Sequence, residues 1–242
     1  MEVKILKETP DYLVISKPAG IAVHPGADRT SFTLSAWLQE LRPEIKKLAW
    51  KTRRRIGVVH RLDKNTTGLL IMAKNPQTLD FFQDQFRERS VEKHYLTLVC
   101  GRPPFKKGAI DAYLYTNPKN RKTQKAEMVD FGLYNFPRRF SATEYKTLAQ
   151  YNFDGQVLTL LEINLKTGRK HQIRAHLKFE NCPVAGDQDY FNKASKRISK
   201  KLGLERQFLH ACKIKFKEPG GQMVTVEDKL PPDLQKILDR VS

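Results

Sequence analysis

Two short apolar runs, Ile56-Gly-Val-Val59 and Leu69-Leu-Ile-Met-Ala73, flank a segment of turn formers and large polar residues, His60-Arg-Leu-Asp-Lys-Asn-Thr-Thr-Gly68. Runs this short, bounded by turn residues and partly β-branched, read as two buried strands joined over Asp63 to Gly68. Asp63, Asn65, Thr66, Thr67 and Gly68 turn a chain and hydrogen-bond their own backbone, so alone they describe an ordinary polar hairpin turn. A turn has no need of His60 and Arg61, placed directly between the apolar run and the loop. A carboxylate held at that edge of a core is therefore the residue to explain.

The same pattern recurs along the chain. Val3 to Leu6, Tyr12 to Ser16, Tyr95 to Cys100 and Val157 to Leu165 read as strands, the last as a central one. Leu34, Trp37, Leu38 and Leu41 fall on one helical face, with Ser31 or Thr33 as cap and Pro43 as stop. A second helix starts at Asn75-Pro76 and buries Leu79, Phe82 and Phe86. A third is expected near Ile173 and Leu177, after the Thr167-Gly-Arg-Lys-His171 turn, with an N-terminus suited to an anion. A fourth follows Pro231-Pro232 and carries Leu234, Ile237, Leu238 and Val241. From about residue 101 to 140 the sequence is polar and basic and is the least ordered-looking part.

Forty-four lysines and arginines stand against 26 acids, a formal charge of +18 on 242 residues, which favours a polyanion and nucleic acid first. The basic residues cluster at Lys51 to Arg55, Lys119 to Lys125, Arg138-Arg139 and Lys193 to Lys201, with Tyr134, Phe136, Phe140 and Tyr145 among them, aromatics more often core than stacking platforms. Cys100, Cys182 and Cys212 are far apart and without His at ligand spacing, so neither a disulfide framework nor a metal site is indicated. No apolar run approaches roughly 18 residues and the N-terminus is charged, so no membrane role, no secretion and a cytoplasmic location are expected.

His60-Arg-Leu-Asp63 with Thr66 and Gly68-Leu-Leu70, followed by Gly168-Arg-x-His-Gln-Ile-Arg174, resembles the RluA-type pseudouridine synthases. The resemblance runs through Lys17-Pro-Ala-Gly20, Val23-His-Pro25, Lys93-x-Tyr95, Gly186-Asp187-x-x-Tyr190 and Leu209-His-Ala211, over roughly residues 10 to 217. It implies an α+β fold, a single catalytic domain over residues 1–242 with a twisted, mainly antiparallel sheet, flanking helices and an RNA cleft. No N-terminal accessory RNA-binding domain is expected. It implies isomerisation of uridine in ribosomal or transfer RNA to pseudouridine, with no metal or organic cofactor, by a monomer.

Carried over by position, the resemblance makes Asp63 the essential acid, either nucleophile or the group that stabilises and deprotonates sugar intermediates. Tyr95 becomes the aromatic against the target base, Arg174 the cation paired with the catalytic carboxylate, and Ile173 an apolar contact. Arg61 becomes the residue that fills the gap left by an extruded nucleotide. An Arg beside Asp63 would favour its charged form, by roughly 1 to 3 pKa units, and the segments around Asp63 and Arg174 are expected to meet. Lys170, standing where a small polar residue is frequent, is a candidate phosphate contact, and Lys119, Arg121 and Lys122 are candidates for RNA docking. Phe191 departs from a frequent Gly and Thr67 from a frequent Ser. Viewed singly, Tyr95 is an ordinary strand aromatic and Arg174 a surface residue on its helix. His60, His171 and His176 are read as structural. Two rival functions stand beside the isomerase: a non-catalytic RNA-binding or ribosome-assembly protein, and a base-releasing glycosidic hydrolase. The hydrolase ranks last, because only one acid stands among basic partners.

Overall fold

The computed structural model describes residues 2–25, 32–128 and 137–242. The chain divides into two compact units, each built from separate stretches of sequence: Met1–Glu92 with Ala211–Lys229, and Lys93–His210 with Leu230–Ser242. Every strand pairing with a register below is antiparallel, and helices pack on the strands, so the class is α+β as expected.

In the first unit β1 (Lys4–Glu8) pairs with β2 (Tyr12–Lys17), and β2 with β3 (Thr67–Ala73), in a register that sets Tyr12 opposite Ala73 and Lys17 opposite Gly68. β3 neighbours β9 (Leu209–Lys217), whose later residues pair with β10 (Met223–Glu227). Every residue of β3 is buried, which is why it reads as an unbroken apolar run rather than an alternating one. Helix α2 (Pro76–Glu88), capped by the Asn75 side chain on the Thr78 N–H, lays Phe82 on this sheet. There Tyr12, Phe82 and Phe216 meet edge to face with centroids 5.2 to 5.8 Å apart. Helix α1 (Leu34–Leu41) is capped by Thr33, whose hydroxyl accepts the Ala36 N–H, and buries Leu34 and Leu38.

One strand expected here is absent. Ile56–Val59 is buried but forms a turn after a single 3-10 turn at Arg53–Arg55, touching β3 through one bridge, Val58 to Met72. The cause is Gly57, whose φ of +72° bends the run out of the extended region. The apolar signal was burial without strand.

The second unit holds β4 (Glu92–Cys100), β5 (Lys107–Thr116), β6 (Gln124–Glu127), β7 (Arg139–Phe153) and β8 (Gln156–Leu165), in the order β4-β8-β7-β5-β6. β8 is central, as its apolar pattern predicts. The stretch from 101 to 140, expected to be the least ordered, carries β5, β6 and the start of β7. β5 exposes alternate residues and draws its order from pairing with β6 and β7. Helix α3 (Gln172–Phe179) starts where the sequence places it. Helix α4 (Lys193–Leu202) occupies a segment read only as a basic cluster. α5 (Pro232–Val241) adds Leu234, Ile237 and Val241 to a core with Leu98, Leu158, Ile198, Leu202 and Phe208. Of the four aromatics named among the basic clusters, Tyr145 is core, Phe140 is 43% exposed, and Tyr134 and Phe136 lie outside the described residues.

Candidate active site

In the first unit Asp63 is half-buried on the loop leading into β3, and Arg61, two residues earlier, is exposed. The loop is pinned on both sides. Lys17, at the end of β2, has no exposed surface, and its ammonium donates to the carbonyls of Pro18 (2.7 Å) and Lys64 (2.8 Å). The Lys64 carbonyl also accepts the Gly20 N–H at 2.9 Å, and the Asp63 carbonyl accepts that of Thr66 at 3.1 Å. Gly68 then enters β3 against the backbone of β9: a Cβ there would lie 2.2 Å from the Ala211 oxygen, and its φ is +110°. His60 uses Nε2 to accept the Ile71 N–H (3.0 Å) and stacks on Phe86 at 4.4 Å, contacts that tie the loop to β3 and α2. His24, of the Val23-His-Pro25 segment, has its pKa lowered, first by burial and then by the positive charges of Arg55 and Arg61, against a hydrogen bond to the Pro25 carbonyl that raises it.

In the second unit Tyr95 is buried in β4 opposite Ile163 of β8. The turn into α3 is held by one side chain. Gln172 Oε1 accepts from the Thr167 hydroxyl (2.7 Å) and the Arg169 N–H (3.0 Å), while its Nε2 donates to the Ala142 carbonyl (3.0 Å) and Thr143 Oγ1 (2.9 Å). That fixes the next two residues, Ile173 and Arg174, both about 5% exposed or less.

Arg174 is therefore no surface residue. Its Nε and Nη2 donate to the two oxygens of Asp187 at 2.7 and 2.8 Å, and Nη2 also reaches Asp189 at 2.7 Å. Planar, two-toothed pairing of this kind fixes orientation as well as charge. The face of the guanidinium lies 4.9 Å from the Tyr190 ring. Asp187, whose side chain is fully buried, holds the loop too: its Oδ1 accepts the N–H groups of Asp189 and Tyr190, both at 2.9 Å. The Tyr190 hydroxyl lies 3.1 Å from His171 Nδ1 and accepts the N–H of Gln124, the first residue of β6, at 2.6 Å. Lys170 is exposed in the turn before α3. Lys119, Arg121 and Lys122 are exposed in the β5–β6 turn, which Asn117 and Asn120 shape by accepting the N–H groups of Lys119 and Lys122.

The structure thus brings Arg61 and Asp63 onto one loop of the first unit, and Lys170, Ile173 and Arg174 onto one helix start of the second; Tyr95 and the exposed Lys119, Arg121 and Lys122 sit elsewhere in the second. Sequence reasoning gave no role to Lys17, Gln172 or Asp187. All three lie inside the segments that carry the resemblance, and a Lys between a strand and Pro-Ala-Gly, a Gln directly after the His171 turn, or an Asp directly after Gly186, was the available signal. Among the described residues no group of three or more His, Cys, Asp or Glu side chains could hold a metal ion, and no helix is long and apolar enough to cross a membrane.

The sequence matches one class of protein. The sequence profile of the RNA pseudouridylate synthase family covers residues 11–179, and the chain belongs to that family. It is 36% identical to ribosomal large subunit pseudouridine synthase D of Nitrosomonas europaea over 98% of this chain and 65% of that protein, and 33% identical to ribosomal large subunit pseudouridine synthase C of Escherichia coli over 98% and 69%. The chain thus spans about two thirds of the length of such relatives. Among solved structures, human RNA pseudouridylate synthase domain containing 4 matches with a TM-score of 0.75 at 26% identity, over 98% of this chain and 92% of the other.

Proposed function

We propose that this chain is an RNA pseudouridine synthase that isomerises specific uridines, with large-subunit ribosomal RNA the first substrate to test and transfer RNA the second. Membership of the family and the names of the relatives support the class. The observation that carries the reading to a residue is the half-buried carboxylate of Asp63 on a loop pinned by the buried Lys17. A carboxylate held this way is pre-oriented for attack or proton abstraction at no reorganisation cost during the reaction.

The reaction is internally balanced. The C1′–N1 bond breaks with its electron pair leaving on the uracil, the ring turns, C5 forms the new bond to C1′, the proton is lost from C5 and N1 ends protonated. Nothing is oxidised, and the reading invokes neither a metal nor an organic cofactor. Asp63 is assigned as nucleophile at C1′ or as the base that deprotonates the sugar intermediate; both roles need its ionised form. Tyr95 packs against the target base, Ile173 adds an apolar contact, and Arg174 is assigned as the cation paired with the catalytic carboxylate. Arg61 fills the gap left by the extruded nucleotide. Lys170, Lys119, Arg121 and Lys122 contact phosphates. The whole of 1–242 acts as one catalytic module, in the cytoplasm and as a monomer.

The test is pseudouridine mapping of total RNA from cells with and without the gene, complemented by the parent chain or by Asp63→Ala. The expected result is one or a few uridines whose modification returns only with the parent chain, while Asp63→Ala binds RNA within a few-fold. An unchanged map across all three strains would sink the proposal in favour of a non-catalytic RNA-binding protein. Release of free uracil would mark a hydrolase.

A further inference from the structure

Phe191 follows Tyr190 directly and precedes Asn192, the cap of α4, yet it is 41% exposed. The ammonium of Lys196 lies 5.1 Å from its ring centroid. Phe191 and Lys196 hold the positions that flank a helix start, where two apolar residues commonly pack and bury each other. Here the second is a lysine, so one side of the ring is lined by a cation and much of the ring remains in water. Its carrier is stiff: Asn192 and Ser195 cap each other reciprocally at 2.8 and 2.9 Å. On the other side, Tyr190 is anchored through its hydroxyl to Gln124 and through its ring to Arg174.

α4 itself is charged against its own interest. Lys193 and Lys196 sit in its first turn, where the helix dipole disfavours cations by roughly 0.3 to 1 kcal/mol each, and no acid stands there. Arg197 and Lys201 share the one carboxylate of Asp154 at 2.8 and 2.7 Å. Lys193, Lys196 and Lys200 are exposed at i, i+3 and i+7 on one face and make no ion pair among the described residues. An aromatic face beside a row of unneutralised cations is the composition of a single-stranded nucleic-acid platform, stacking for the base and charge for the backbone.

We infer that Phe191 is a base-stacking platform for an unpaired nucleotide of the substrate RNA, with Lys193, Lys196 and Lys200 of α4 holding the adjoining phosphates. The inference rests on the RNA-modifying reading and extends it to how the RNA is held. Acidic peptides and lipid surfaces are disfavoured, since neither supplies a flat π-system for the ring.

The experiment is fluorescence anisotropy of a labelled short oligouridylate against the full chain, over a range of salt, with heparin as a polyanion that has no bases. Phe191→Leu keeps an apolar residue beside the helix cap but removes the π face. It should weaken oligouridylate binding roughly 5- to 100-fold with the salt slope unchanged, and leave heparin binding as it was. Phe191→Trp should bind as well as the parent. Lys200→Gln should flatten the slope by about 0.7. Oligouridylate binding by Phe191→Leu equal to that of the parent, no binding by the parent, or equal losses for heparin and RNA would each overturn the platform. Pseudouridine formation on ribosomal RNA is read in parallel. Phe191-dependent binding without product would defeat the catalytic reading and leave the platform standing.

Discussion

At the scale of single residues, Lys17 and Gly68 show how much of a site is backbone control. Removing the ammonium in Lys17→Met takes a donor from the Pro18 carbonyl, at roughly 1 to 3 kcal/mol, and leaves the Lys64 carbonyl with the Gly20 N–H alone. Its readout is a fall in kcat beyond what the lost stability explains, with RNA affinity preserved. Gly68→Ala drives a methyl into the Ala211 backbone and should cost about 3 kcal/mol or more in urea unfolding. His176 is a buried neutral group, 2.8 Å from the Ser141 hydroxyl, and burial pulls its pKa down to about 4. With the folded value below the unfolded one, near 6.5, the unfolded chain takes up a proton first on acidification. Stability is therefore full above pH 6.5 and falls as pH drops from there towards 4, by on the order of 2 to 3 kcal/mol. A melting temperature equal at pH 7 and pH 5, with other titrations matched by a His176→Gln control, would refute this.

At the scale of elements, the clamp on Arg174 is made by a helix start and by the loop that precedes α4. Asp187→Asn breaks the two-toothed pair with a buried guanidinium, and loss of one partner of such a pair costs roughly 3 to 5 kcal/mol. Arg174→Met combined with Asp187→Asn, whose amide oxygen still accepts the Asp189 and Tyr190 N–H groups, should recover part of that stability while leaving the enzyme inactive, a split that a purely structural role for Arg174 would not produce. α4 makes the opposite trade, stability given up for charge. Lys196→Glu places an acid in the first turn and should raise the melting temperature by a degree or more while weakening RNA binding. Both elements were partly legible. The α3 start was visible because Ile173 and Leu177 follow a turn sequence; α4 was hidden because six of its ten residues are exposed, four of them lysines and one an arginine, so its charge masked the Ile198 and Leu202 stripe.

For the whole molecule, neither compact unit is continuous in sequence, so neither can be cut out at one bond. A fragment ending at Glu92 lacks Ile214 and Phe216, which close the core over Tyr12 and Phe82, and should bind a hydrophobic dye and give no near-ultraviolet dichroism. The charge of +18 makes RNA affinity fall steeply with salt, and neutralising Lys119, Arg121 and Lys122 together should reduce that slope by about two. The strands β2, β3, β4 and β8 and the helices α1, α2, α3 and α5 were readable, because apolar period and capping chemistry act within a few residues. Asp63 stood out locally, because His60 and Arg61 are large polar residues that a turn between two apolar runs does not need; Tyr95 and Arg174 were named only through the resemblance, since nothing local set them apart from a strand and a surface. What the sequence determined by itself was class and chemistry: a basic α+β chain with one acid at the edge of a buried sheet. Tertiary structure alone decided that Ile56–Val59 is a turn, that a lysine with no exposed surface pins the loop of Asp63, and that two aspartates and a tyrosine fix Arg174. Those pairings, with the Tyr190–Gln124 bond that holds the tyrosine, join residues 13 to 66 positions apart, and no local propensity records a partner that the fold brings from such a distance.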